Sequence, residues 1–150
     1  MPDKKLKALI IDDEAAILEE LKWHLEQHGW EVTTAVDGIR GKECCEQLNQ
    51  NLDLIISDVR MPGIDGQALL KNIAQNKRDL LPALFFMTAY DDVLREDAHE
   101  IGADAIFQKP FRVKELIAAA KHFIKVRNDF AAEAAKTATV LPSGRTPKVQ

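Results

Sequence analysis

The chain alternates short apolar runs with longer stretches in which apolar residues recur every three or four positions. LKALIID (6–12), LDLIIS (52–57) and PALFFMTA (82–89) are runs of the first kind. Their near-continuous apolar character suits strands covered on both faces. WEVTTAV (30–36) alternates as a strand does, and DAIFQ (104–108) is a short fifth candidate. Between them, AILEELKWHLEQHG (16–29) places Ile17, Leu18, Leu21 and Leu25 at helical spacing and stops at Gly29. GIRGKECCEQL (38–48) is a weaker helix, and GQALLKNIAQ (66–75) a clearer one. DDVLREDAHEIG (91–102) has Asp91 as N-cap and Gly102 as its stop. The pattern is βα repeated five times, which predicts an α/β fold with a parallel sheet and helices on both faces. Strand order does not follow from this pattern.

The last helical stretch, 112–136, is long. A helix from Val113 to Lys136 measures about 36 Å, more than one face of a small sheet needs. Its apolar stripe runs through Val113, Leu116, Ala120, Phe123, Phe130 and Ala134, and Arg127 interrupts it. The remainder, TATVLPSGRTPKVQ (137–150), has no periodicity and reads as a disordered tail or linker. The expected organisation is one domain over 1–127, a helical extension over 128–136, and the tail over 137–150.

Composition narrows the picture without changing it. At 150 residues the chain is the size of one domain and long enough for a real core. A net charge of −4 with no dense basic run argues against direct nucleic-acid binding. No apolar stretch approaches the roughly 18 residues that cross a bilayer. The N-terminal apolar segment is too short for a signal peptide and runs into acids, so the expected location is the cytoplasm. Cys44 and Cys45 are adjacent and have no spaced partners, so they read as small apolar fillers on a helix. His24, His28, His99 and His122 are scattered over helices and read as surface or boundary residues; Trp23, Trp30 and Phe123 read as core or boundary packing.

Ligands of open α/β sheets bind beyond the carboxyl ends of the strands. The first strand delivers Asp12 and Asp13 to that edge, the third Asp58, the fourth Thr88, and the fifth Lys109 followed by Pro110. One acid alone is as well explained as a helix cap, Thr88 alone as a turn residue, and Lys109 alone as a solvated charge. Together they are harder to dismiss. Clustered carboxylates repel, and one must have a raised pKa or a cation beside it. Oxygen-only ligands suit Mg²⁺, which retains several waters. An acid at a strand end then serves as a nucleophile toward phosphorus, with a metal, a lysine and a hydroxyl supplying alignment and charge stabilisation.

The motifs IIDDE (10–14), IISDVRMPGIDG (55–66), FFMTA (85–89) and FQKPF (107–111) resemble the receiver domain of two-component response regulators. The resemblance covers about 5–127 and is highly specific, with the motifs in order and at the usual gaps. It implies a flavodoxin-like, doubly wound sheet of five strands in the order 2-1-3-4-5. It makes Asp58 the phosphoacceptor, Asp13 a direct Mg²⁺ ligand, Asp12 a ligand mainly through water, and the backbone carbonyl of Arg60 a further ligand. Thr88 and Lys109 would each hold a phosphoryl oxygen, the Lys109–Pro110 bond would be cis, and Tyr90 and Arg60 would tune the lifetime of the phosphoryl group. The partners it implies are a sensor histidine kinase or phosphotransfer protein and a downstream protein target. The output face would be the fourth helix, the fifth strand and the last helix, and the last helix also suggests a homodimer. Such a domain catalyses its own phosphorylation and dephosphorylation but is mainly regulatory.

Two positions depart from the family. Receivers usually carry Tyr or Phe three residues before the lysine; here that position is Ile106, and Phe107 follows it. One residue of shift along a strand points a side chain to the opposite face, so Ile106 implies a weaker or different switch. Lys42 and the two cysteines stand where apolar residues are usual. Two other readings stand beside the switch. A haloacid-dehalogenase-type hydrolase would need Asp-x-Asp on the first strand, and this chain has adjacent Asp12 and Asp13. A phosphorylation-independent scaffold would be expected to lack an acid or the lysine, and the set is complete. No effector motif follows Arg127, which suits a stand-alone regulator or the receiver portion of a larger regulator or hybrid kinase.

Overall fold

A computed structural model describes residues 5–47, 52–58, 82–88 and 103–138. The described elements, in chain order, are β1 (Lys7–Ile11), α1 (Ala15–Gln27), β2 (Glu31–Ala35), α2 (Gly38–Gln47), β3 (Leu54–Asp58), β4 (Ala83–Thr88), β5 (Ala105–Gln108) and α3 (Val113–Ala138). The strands form one parallel sheet in the order β2-β1-β3-β4-β5. The expected helices over 66–75 and 91–102 and the tail from 139 onward lie outside the described residues.

The apolar runs become the central strands because a residue in β1, β3 or β4 meets packed side chains above and below. Burial is complete along β4 and nearly so along β1 and β3. Alternation then sorts the side chains into two layers. Ala8, Ile10, Leu54, Ile56, Phe85 and Met87 pack with Leu21 and Leu25 of α1 and with Leu116, Ala120 and Ile124 of α3. Leu9, Ile11, Ile55, Leu84 and Phe86 pack on the other side with Cys45 of α2. Cys45 is thus core, and Cys44 packs at its margin. Helix α2 comes close to β1 at Gly41, where an added Cβ would lie 2.6 Å from Ile11 Cδ1. Trp30 is buried and Phe123 half-buried against Phe85. Trp23 departs from its expected packing role: it is 59% exposed on α1, with the His24 ring edge-on beside it.

Helix α3 runs two residues past the expected Lys136. At 26 residues it measures about 39 Å. Arg127, which interrupts its apolar stripe, has a defined role. Its Nη2 donates to Asp53 Oδ1 at 2.9 Å and its Nη1 to the Asp53 carbonyl at 3.3 Å. Asp53 Oδ2 in turn accepts the backbone N–H of Lys7 at 2.9 Å. The interruption in the stripe is therefore a clip between α3 and the amino-terminal edge of the sheet. The pair is mostly but not wholly shielded, with side-chain exposures of 17% and 16%.

Removing one partner of such a pair should cost about 1–3 kcal/mol, between the surface and fully buried limits. Asp53→Ala is expected to exceed Arg127→Met, because it also strands the Lys7 N–H. Urea denaturation of both variants measures the two losses and their order.

Candidate functional site

The register of the sheet builds the site. Ile11 lies opposite Ser57 across the β1–β3 pair, so Asp12 and Asp58 leave adjacent strands at the same level. Asp58 is in turn level with Met87, which places Thr88 one residue further along β4. Thr88 is level with Gln108, so Lys109 follows directly beyond β5. Asp12, Asp13, Asp58, Thr88 and Lys109 therefore reach the same carboxyl edge. Arg60 and Tyr90 lie outside the described residues.

Lys109 is the hub. Its Nζ donates to Asp12 Oδ2 at 2.7 Å and to Asp58 Oδ2 at 3.0 Å, and it reaches Glu14 Oε1 at 3.4 Å. Its backbone N–H donates to the carbonyl of Thr88 at 2.7 Å, which ties the start of the β5–α3 connection to the end of β4. The Lys109–Pro110 peptide bond is cis. Asp12 is held from several directions. Its backbone N–H donates to the Ala35 carbonyl at 3.1 Å, and its Oδ1 accepts the Glu14 N–H at 2.8 Å. Asp12 thus organises the turn into α1, although the N-cap position itself is Glu14. Thr88 is buried at the end of its strand.

Glu14 is the participant that the sequence reading passed over. It directly follows the acid pair, and that adjacency was the available signal. Its side chain is 60% exposed, so its contact with Lys109 is a solvated one. Beside Lys109, between the starts of α1 and α3, lies an open crevice of about 360 Å³. Ile17, Leu21, Phe111 and Val113 give it apolar walls, and Glu14 and Glu20 stand among them.

Among the described residues, charge at this edge is unbalanced. Carboxylate oxygens of Asp12, Asp13 and Asp58 lie within 4.8 Å of one another, and one ammonium faces them. Burial pushes the Asp12 carboxyl above its ordinary value; the hydrogen bonds from Lys109 and from the Glu14 N–H pull it back only partly, and the Asp58 charge adds to the rise. Burial alone would depress Lys109, but its bonds to Asp12 and Asp58 reverse that and hold it firmly protonated. An all-oxygen cluster with excess negative charge and one exposed member, Asp13, fits a hard divalent cation that keeps part of its water shell.

Ile106 and Phe107 sit on opposite faces of β5. Ile106 packs with the α2-side layer, whereas Phe107 joins the α1–α3 layer between Phe85 and Phe111. Asp104 also contributes to this strand, its Oδ2 accepting the Leu84 N–H at 2.8 Å.

With this geometry in hand, comparison with known proteins is informative. The model of the response regulator receiver domain family matches residues 8–121. The DNA-binding dual master transcriptional regulator RpaA of Synechocystis sp. is 32% identical over 139 residues, covering 92% of this chain and 56% of RpaA. The alkaline phosphatase synthesis transcriptional regulatory protein PhoP of Bacillus subtilis is 35% identical over 127 residues, 84% of this chain and 51% of PhoP. The chain thus spans about half the length of these curated relatives. Among solved structures, a response regulator receiver domain protein from Clostridium thermocellum superposes with a TM-score of 0.73 at 28% identity, covering 83% of this chain and 98% of the other. A CheY-like receiver domain protein from Methanospirillum hungatei gives 0.73 at 27% identity, covering 84% and 98%. Among the described residues no helix is long and apolar enough to cross a membrane.

The raised Asp12 value has a defined consequence for stability. A carboxyl easier to protonate in the folded state than in the unfolded chain favours folding fully below its ordinary value of 3.8. That contribution is lost as pH rises through the higher folded value. In metal-free buffer, the stability of the wild type relative to Asp12→Asn should therefore fall from about pH 4 toward neutrality. A divalent cation should restore it in the wild type and not in the variant. Urea titrations with EDTA or with added cation read both effects.

Proposed function

The chain belongs to the response regulator receiver domain family, and from that premise we propose that it is a phosphorylation switch in which Asp58 accepts a phosphoryl group in a Mg²⁺-dependent reaction. The observation that carries this reading is the convergence of Asp12, Asp13 and Asp58 on Lys109. Asp13, Asp12, Asp58 and the backbone carbonyl of Arg60 are the proposed metal-holding groups. The metal supplies charge neutralisation at the phosphoryl oxygens when it is bound. Asp58 is the proposed nucleophile: it ends a buried strand, its side chain is 13% exposed, and one oxygen is already aligned by Lys109. Thr88 and Lys109 are the proposed holders of phosphoryl oxygens, placed by β4 and β5 at the same edge. To donate to a phosphoryl oxygen, the ammonium would give up its bond to Asp58 and keep the one to Asp12.

The proposed donor is a sensor histidine kinase or a phosphotransfer protein, met in the cytoplasm. The crevice beside Lys109 supports such an encounter, because its apolar walls offer a helix a foothold next to the reacting group. The receiver is proposed to occupy 1–127, with α3 continuing beyond it. The added charge of about −1.5 to −2 would act on β5 and α3, which lie on either side of Lys109 in the chain. Any DNA-binding output belongs to the relatives as named, and the output proposed for this chain is protein contact.

Intact mass after incubation with Mg²⁺ and acetyl phosphate tests the core of the proposal. The wild type should gain one phosphoryl group, while Asp58→Ala and an EDTA-treated sample should gain none. Lys109→Ala should slow the gain by about a hundredfold, as expected for removal of one preorganised charge from a transition state. A modified Asp58→Ala chain would refute the assignment.

Ile106 adds a second expectation. The small side chain on the α2-side face of β5 should make the conformational response weak. Backbone resonance shifts on phosphorylation should therefore be small at Thr88 and along β5, and Ile106→Tyr should enlarge them. Large shifts confined to those residues in the wild type would contradict a weakened switch.

A further inference from the structure

Gly41 lies inside α2, where glycine is less favourable than alanine. Its backbone gives no reason for a glycine: among the described residues the positive φ belongs to Gly29. What Gly41 supplies is space. An added Cβ would lie 2.6 Å from Ile11 Cδ1, 3.1 Å from its Cγ1 and 3.3 Å from its Cγ2. Both branches of Ile11 thus sit under the glycine, and turning the side chain exchanges one for the other without clearing the contact. Ile11 is also fully buried, in one layer with Leu9, Ala35, Cys45 and Ile55. A layer packed this closely passes strain on to its neighbours.

The neighbour that matters is Asp12. Ile11 is the last residue of β1, level with Ala35 on β2 and with Ser57 on β3. Asp12 follows it, and its N–H donates to the Ala35 carbonyl at 3.1 Å. The start of α2 is tied to the same place. Asp37, two residues after Ala35, accepts the Arg40 N–H on Oδ1 at 2.8 Å and the Gly41 N–H on its carbonyl at 2.9 Å. These contacts close a ring through Ile11, Gly41, Asp37, Ala35 and Asp12. A Cβ at position 41 could be relieved in two ways. If Ile11 sinks, β1 carries Asp12 out of line with Asp58. If α2 rises, Asp37 pulls on the end of β2 and on the carbonyl that holds the Asp12 N–H. Both routes end at the acid cluster. We propose that Gly41 is a positioning residue: the fit of Ile11 beneath its bare backbone sets where β1 delivers Asp12 and Asp13. The inference rests on the metal-holding role proposed for those acids.

Amide resonances of the full chain, followed through a Mg²⁺ titration, test this. Gly41→Ala should weaken Mg²⁺ binding about tenfold, the scale of losing a group that orients a metal ligand. Adding Ile11→Val should restore the affinity, because valine lacks the Cδ1 atom that the new methyl would meet. Cys45→Ala removes volume from the same layer without pushing on Ile11, so it should lower stability to urea and leave the affinity unchanged. That contrast separates positioning from loss of packing. A metal-free readout separates this inference from the function it rests on. In EDTA, the N–H groups of Asp12 and Glu14 should lose protection from hydrogen exchange in Gly41→Ala, relative to Phe86 in the centre of β4, and regain it with Ile11→Val. A wild type that binds no Mg²⁺ would refute the metal-dependent switch, while the exchange pattern would still support the Ile11–Gly41 fit. Should Gly41→Ala alone not fold, a double variant that folds and binds as the wild type does supports the proposal, and one that folds but binds weakly refutes it. Wild-type affinity and exchange in Gly41→Ala, or a loss that Ile11→Val does not reverse, overturns it.

Discussion

The site depends on crowding carboxylates where water is scarce. Asp12 is fully buried and Asp58 nearly so, and the ordinary response of such groups is to take up protons. One ammonium counters this by bonding to both at once. Among the described residues a single lysine faces three acids, a set that favours further positive charge. The arrangement is costly to the fold and useful to chemistry for the same reason. In the proposed reaction, groups that are already badly solvated would need little reorganisation.

The topology makes that crowding inevitable. With β1 between β2 and β3, the chain reverses direction of winding at the β1–β3 pair, and the carboxyl ends there open into a crevice. Parallel register then leaves no freedom: once Ile11 is beside Ser57, the next residues must meet. The apolar strands set this register, because a slip of one residue would turn the buried layers of β3 and β4 inside out. The hydrophobic core and the acid cluster are thus two consequences of one alignment.

Much of this was legible in the sequence. The central strands announce themselves because burial on both faces demands unbroken apolar runs, and α1 because its stripe is regular. Strand order was not legible from periodicity, which carries no information about neighbours; it came from the resemblance of the motifs. The residues brought to the edge were read from strand ends alone, but the centrality of Lys109 was not, because a lysine in sequence looks like surface. The Arg127–Asp53 clip was missed for a similar reason: an arginine in an apolar stripe looks like a defect until its partner, 74 residues away, is seen. Trp23 misled in the opposite direction, since its hydrophobicity suggested packing and its position on α1 put it in solvent.

The two ion-pair systems lie at opposite edges of the sheet, and α3 connects them. The helix begins four residues after Lys109, whose N–H is bonded to the end of β4, and it is fixed again at Arg127 by the residue just before β3. Between these points Leu116, Ile117, Ala120 and Ile124 are buried, which seats the helix against the sheet along this length. Beyond Arg127 the helix continues to Ala138, and Phe130 on this part is exposed. The phenylalanines bridging the sheet to this helix, Phe111, Phe107, Phe85 and Phe123, form a continuous chain of ring contacts on the same face. With Ile106 on the other face, Phe107 and its neighbouring rings lie on the side of the sheet where α3 lies.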